Sequence, residues 1–295
     1  MSVTGPDPVD QGLCVVGFVY LEVFVPGGFD APRPGREHFV PDMPVGFGGA
    51  LNVASVSAAL GLPTMLLRPS CGALDPAVRA MAEKLGVEDC SWPSKRPAVS
   101  LVYSTPTDRA FLSAADFEAL ADCPTLPEDG WIHVAGLEEA FLLENPLREA
   151  RKCGARVCVS GSWAPRALQR LAVPRERRWD LLVLNEAEAA WVDEDSGRVL
   201  EILSEVAGDV VITNGPGTVE ALMGGERFRV PVPATGPGNY TGVGDAFCAA
   251  LLSARARGMD AGSSLRRGIA VASRVVTIRG GVVTDRALLS DLVPR

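Results

Sequence analysis

One stretch of this chain has residue types suited to handling an anion. Gly236-Pro237-Gly238-Asn239-Tyr240-Thr241-Gly242-Val243-Gly244-Asp245-Ala246-Phe247 runs straight into a small-residue apolar helix expected over Ala246–Arg257. The first turn of a helix carries unpaired backbone N–H groups and a partial positive charge. Gly242 and Gly244 let that backbone approach an anion with no Cβ in the way, and a phosphate is the natural ligand for such a place. Asp245 stands at the helix entrance, where an aspartate alone reads as an N-cap. The glycine pair ahead of it points instead to a base that takes a proton from a hydroxyl beside a phosphoryl group. The charge developing there needs preorganised N–H donors, and a structural cap does not.

A second glycine-rich turn, Gly46-Phe47-Gly48-Gly49-Ala50-Leu51-Asn52-Val53-Ala54, also opens a helix. Asn52 reads either as an amide aimed back at a ligand over the helix start or as the internal hydrogen bond of a tight turn. Neither turn has the third glycine of the dinucleotide fingerprint, which speaks against a dehydrogenase. Only Lys84, Lys95 and Lys152 are lysines, and none follows a glycine-rich turn, so a Walker-type phosphate loop is excluded. All three sit in polar contexts and read as solvated surface residues rather than Schiff-base lysines. With His38 and His133 the only histidines, a His-rich metal site is excluded. His133, inside the apolar run Trp131–Ala135, reads as a core or strand-end residue.

These residues must be positioned by a chain of 295 residues, 47% hydrophobic and 22% charged, a composition that rules out disorder. The net charge of -8 argues against a nucleic-acid or anionic-membrane surface. The seven cysteines are odd in number and form no CxxC pair, which suits a reducing, cytoplasmic setting. The start lacks a cationic leader, and the apolar stretch Leu13–Val25 is interrupted by Glu22 and too short to span a bilayer. Short apolar runs suit strands over Leu13–Val19, Thr64–Leu67, Val99–Tyr103, Trp131–Ala135, Arg156–Val159, Leu181–Leu184 and Val210–Thr213. They alternate with helical segments over Leu51–Leu60, Pro76–Leu85, Glu139–Lys152, Pro165–Leu171, Ala187–Val192, Gly197–Ala207, Ala246–Arg257 and Ser263–Ile278. The pattern predicts an α/β fold: a mainly parallel sheet with helices on both faces, three layers in all. Residues 18–45 and 98–113 alternate polar and apolar residues and predict a small antiparallel sheet, a lid, inserted in one compact domain covering 1–295.

The ordered motifs resemble the PfkB (ribokinase-like) family of carbohydrate and nucleoside kinases, over about residues 12–293. Its Gly-Gly-x-x-Asn signature matches Gly48-Gly49-Ala50-Leu51-Asn52, and its Asp-Thr-x-Gly-Ala-Gly-Asp signature matches Asn239-Tyr240-Thr241-Gly242-Val243-Gly244-Asp245. Between them, Asn-x-x-Glu matches Asn185-Glu186-Ala187-Glu188, and Thr-x-Gly-x-x-Gly is approximated by Thr213-Asn214-Gly215-Pro216-Gly217.

The resemblance implies ATP- and Mg²⁺-dependent phosphorylation of a hydroxyl on a small sugar-like acceptor. Asp245 would be the base, and the backbone at Gly242, Val243 and Gly244 the anion hole. Asn185 and Glu188 would order Mg²⁺, through water, and the triphosphate; Thr213, Gly215 and Gly217 would cradle ATP. Glu22, Gly48, Gly49 and Asn52 would meet the acceptor. Two alternatives remain: a nucleoside acceptor stacked on Tyr240 and Phe47, or a non-catalytic binding protein on the same scaffold. The family usually has aspartate where Glu22 stands, and an aspartate for Asn239 that helps hold a monovalent cation, so dependence on such a cation is in doubt. Tyr240 replaces threonine, and Ser160-Gly161-Ser162 stands where many members have an aspartate-containing strand end. A homodimer through the lid is a further expectation from the family.

Overall fold

The computed structural model describes residues 12–26, 34–104, 109–172, 178–234 and 240–293. The chain begins β1 (Leu13–Val16), β2 (Val19–Val25), β3 (Val45–Gly49), α1 (Ala50–Ala59), β4 (Thr64–Ser70), α2 (Asp75–Leu85) and β5 (Glu88–Pro93). It continues through β6 (Val99–Ser104), β7 (Arg109–Ala114), β8 (Trp131–Val134), α3 (Leu137–Leu142), α4 (Glu144–Cys153), β9 (Arg156–Ser160), α5 (Pro165–Leu171) and β10 (Trp179–Asn185). The last part holds α6 (Glu186–Ala189), α7 (Ser196–Ser204), β11 (Ala207–Thr213), β12 (Thr218–Met223), β13 (Glu226–Pro231), α8 (Val243–Ala256) and α9 (Ala261–Val275).

Nine strands form one sheet in the order β13-β12-β11-β10-β9-β8-β1-β4-β5. All pairings from β11 to β5 are parallel. β1 and β8 are buried along their whole length, as strands covered on both faces must be. One face packs against α1, α2, α8 and α9 through residues such as Leu51, Val78, Leu251 and Val271. The other packs against α3, α4, α5 and α7 through Leu137, Leu147, Leu168 and Val199. The expected three-layer α/β architecture is therefore present. Among the described residues, no helix is long and apolar enough to cross a membrane.

The second sheet runs β3-β2-β6-β7. Its two outer pairings are antiparallel and the central β2–β6 pairing is parallel. β2, β6 and most of β7 fall in the segments 18–45 and 98–113, but β3 starts only at the end of the first segment, at Val45–Gly49, and the central parallel pairing departs from the expected antiparallel sheet.

Several boundaries differ from expectation for physical reasons. The single helix expected over Glu139–Lys152 is two, broken at Leu143. Pro146 cannot donate to the carbonyl one turn back, and its ring clashes with that carbonyl, so a continuous helix is not available. The hairpin β12–β13 was not predicted, although its turn, Gly224-Gly225, has both residues at positive φ (58° and 81°) between two alternating segments. β5 is an edge strand with little continuous apolar character, which hides it from pattern reading. Helix α8 starts at Val243, three residues before the expected position.

Candidate active site

That early start of α8 corrects the N-cap reading of Asp245. The N-cap is Gly242, at φ 75°, and Asp245 lies inside the first turn. A Cβ on Gly242 would come 2.3 Å from Gly281 Cα, so both the left-handed backbone and the close pass demand glycine. Gly244 differs: a Cβ there would meet nothing within 4 Å, and the residue is exposed. The space beside its Cα is open, in the first turn of α8.

Two cavities meet at this helix start. A slot of about 250 Å³ is lined by Thr213, Gly215, Val232, Tyr240, Val243, Gly244, Phe247 and Ile269, among others. A larger cavity of about 960 Å³ lies under the small sheet. Its walls include Ala135, Ser162 and Asn185, at or just beyond the ends of β8, β9 and β10, together with the first turns of α1, α3, α6 and α8. The carboxyl ends of parallel strands are where α/β sheets bind ligands. Asn185 and Arg109 line both cavities; Gly244 lines the slot, and Gly242 and Asp245 line the larger cavity.

The Asn52 alternatives resolve toward the site. Its Nδ2 donates to Asp245 Oδ2 at 2.8 Å, across 193 residues of sequence. Burial pushes the Asp245 carboxyl above its ordinary range, with the Asn52 hydrogen bond and the Arg109 charge opposing. Glu22, on β2, is 5% exposed, and burial reinforced by the Asp245 charge pushes its carboxyl up to about 7, against the pull of Arg109.

Asn185 and Glu188 form a capping box at α6. Asn185 Oδ1 accepts from Glu188 N at 2.8 Å, and Glu188 Oε2 accepts from Asn185 N at 2.9 Å. The cap is real, but the carboxylate is buried at 5% exposure rather than solvated, and burial pushes it up to about 7. It lies over Gly161, where a Cβ would come 2.1 Å from Oε2.

Three expected contacts fall elsewhere. Gly48 does not line the larger cavity; a Cβ there would come 2.1 Å from Glu22 Oε1, so Gly48 makes room for Glu22. Gly217 closes the turn after β11, donating to Asn214 O at 2.6 Å, and stays off the slot wall. Phe47 lines a separate cavity of about 350 Å³ with Phe24, Met81 and Val282, while Tyr240 lines the slot, so the two rings stand on different cavities. Gly49, Thr213 and Gly215 are on the walls as expected. Asn239 lies outside the described residues.

Arg109 and Glu139 line the larger cavity without belonging to any motif. Glu139 is 6% exposed and pushed up to about 7 by burial, its carboxyl folded over Gly136. The only signal in the sequence is Gly136 ahead of the Glu138-Glu139 pair at the end of an apolar run. His133 is fully buried, with its ring nitrogens 3.4 Å from Cys158 Sγ and Ser160 Oγ. Burial depresses it to about 3, so it is neutral and structural. Lys84, Lys95 and Lys152 are exposed and line neither cavity.

Comparison with known proteins adds the decisive observation. The model of the pfkB family carbohydrate kinases matches residues 36–285. The chain belongs to this family. Among solved structures, a probable sugar kinase from Rhizobium etli superimposes with a TM-score of 0.82 at 16% identity, covering 96% of this chain and 99% of that one. An adenosine kinase from Sinorhizobium meliloti gives 0.77 at 17% identity, with 96% and 99% covered. An Arabidopsis thaliana ribokinase complexed with ribose and ATP gives 0.73 at 18% identity, with 97% and 99% covered. At these identities the superpositions establish the fold. No curated protein matches the chain in sequence.

Proposed function

We propose that this kinase-family chain transfers the γ-phosphoryl group of ATP to a hydroxyl of a small sugar-like acceptor. The observation that carries the reading is the pair of cavities meeting at the open N-terminus of α8, with Asp245 on the acceptor side. The slot takes the nucleotide, with Thr213, Gly215 and Tyr240 on its walls and apolar side chains of α8 and α9 behind them. The larger cavity takes the acceptor beside Glu22, Gly49 and Asn52. The small sheet acts as its lid, and residues 1–295 work as one kinase unit.

Asp245 accepts the proton of the attacking hydroxyl as oxygen bonds to the γ-phosphorus and the bond to the leaving ADP oxygen breaks. Its raised affinity for a proton suits a base, and Asn52 holds one of its oxygens in place. The backbone N–H of Gly244 would meet the transferring group, with that of Val243 joining it once released from Tyr240 O, to which it donates at 3.4 Å, and Gly242 supplies the turn at the helix start. Arg109, shared by both cavities, adds a cation where charge is transferred. Mg²⁺, which neutralises phosphate charge, fits beside Glu188: one carboxylate next to a phosphate site suits an ion that keeps several waters. Glu188 and Asn185 would hold it through those waters.

Acceptor-dependent release of ADP across a panel of sugars and nucleosides tests the reading. Saturable binding with no ADP release from any of them would favour a non-catalytic binder. Phe47 and Tyr240 face different cavities, so stacking between that pair does not favour a nucleoside, and the panel decides between sugar and nucleoside acceptors. β7 exposes Leu112 on the side of the small sheet away from the cavity, the face a dimer through this sheet would cover, which light scattering reads.

A further inference from the structure

The larger cavity has a charge imbalance that bears on the acceptor's chemistry, an inference resting on the kinase reading above. Among the described residues its walls carry five carboxyl groups, Glu22, Glu138, Glu139, Glu188 and Asp245, against one cation, Arg109. Arg109 also lines the nucleotide slot, where the transferred phosphoryl group competes for it.

Acidic walls alone would say little, but the hydrogen bonding is specific. Glu22 is 5% exposed, and its Oε2 has no donor within reach. Asn52 is 2% exposed; its Nδ2 is spent on Asp245, and its Oδ1 has no donor either. Both of these oxygens are acceptors, and a buried carboxylate oxygen without a donor is costly. The occupant must bring donors. Tyr20, Phe117 and Trp163 wall the same cavity, and the faces of such rings attract cations; the face of Phe111 already carries the Arg109 guanidinium. A phosphate or carboxylate on the occupant would instead lie among these carboxyl groups, with Arg109 as its cation among the described wall residues.

We propose that the acceptor is an amino-bearing polyol, its ammonium paired with Glu22 and its hydroxyl presented to Asp245. The protonated nitrogen has no lone pair, so transfer goes to oxygen, and the hydroxyl proton passes to Asp245 as ADP leaves.

The test compares matched sets in the ADP-release assay: an amino sugar, its parent sugar, its N-acetyl derivative and its phosphate ester, with glucosamine, glucose, N-acetylglucosamine and glucose 6-phosphate as one set and the galactose series as another. The amine is expected to exceed parent and N-acetyl compounds at least about tenfold in kcat/KM, with the phosphate ester inert. Glu22→Gln should bring amine and parent within about twofold. Glu139→Gln is the second variant if Glu22→Gln does not fold, and it should reduce the same ratio.

Equal use of parent and amine, or preference for the phosphate ester, overturns the proposal while leaving the kinase reading intact. If nothing releases ADP, the kinase reading fails. Calorimetry with the same compounds and a non-hydrolysable ATP analogue then decides the proposal: tighter binding of the amine supports it, and equal or absent binding overturns it.

Discussion

Gly242 and Gly244 stand two residues apart in one motif, yet the structure gives them opposite roles. Gly242→Ala places an L-residue at φ 75° and drives its Cβ to 2.3 Å from Gly281 Cα. The left-handed backbone costs about 1–2 kcal/mol and the backbone overlap about 1–3 more, a large share of a typical stability of about 5–15 kcal/mol. Gly244→Ala meets nothing within 4 Å and sits in the first turn of α8, where alanine stabilises a helix by up to about 1 kcal/mol. Its methyl group, however, occupies the space from which the transferring group would reach the helix N–H donors. Losing one such donor costs about 10²–10³ in turnover. Thermal melting and ADP release on the two purified variants separate these effects. Gly242→Ala should melt well below wild type. Gly244→Ala should melt at or slightly above wild type and lose at least about a hundredfold in kcat. Full activity in a stable Gly244→Ala variant would refute the placement of the phosphoryl group at this helix start.

Three further outcomes follow from the site. Arg109→Gln should lower kcat about 10–100-fold and raise the KM for ATP, because this side chain lines both cavities; steady-state kinetics reads both. Glu188→Gln should raise the Mg²⁺ concentration needed for half-maximal rate about tenfold, read by Mg²⁺ titration at saturating ATP. In the ligand-free protein Glu22, Glu139 and Glu188 bind protons up to about 7, against 4.5 for an ordinary glutamate. The folded state then holds more protons than the unfolded state between those values, so stability falls as pH rises through that window, by up to about 3 kcal/mol per group. Melting scans from pH 5 to 7.5 should show a declining Tm, with a shallower decline in Glu22→Gln.

Much of the fold follows from local pattern. The continuously apolar runs became β1, β8, β9 and β10, and the two glycine-rich turns opened α1 and α8. What stayed hidden depends on distant contacts. The Asn52–Asp245 hydrogen bond joins residues whose proximity only the packing of α1 against α8 creates. Gly48 reads as a ligand contact until the Glu22 carboxyl is seen lying over it. Arg109 opens an unremarkable edge strand, and only the fold of the small sheet carries it between two cavities. Glu139 becomes a buried carboxyl because the chain turns at Gly136, and no spacing rule reports that turn.

The central claim is that one aspartate at the α8 start takes the proton in phosphoryl transfer, and Asp245→Asn tests it most directly. Asparagine keeps the size of the side chain and an oxygen to accept from Asn52 Nδ2, so the fold and the binding of a non-hydrolysable ATP analogue should persist. Single-turnover phosphoryl transfer by this variant should then fall by at least about two orders of magnitude, the scale of general base catalysis. A folded Asp245→Asn protein that binds nucleotide and transfers the phosphoryl group at close to the wild-type rate would contradict the account.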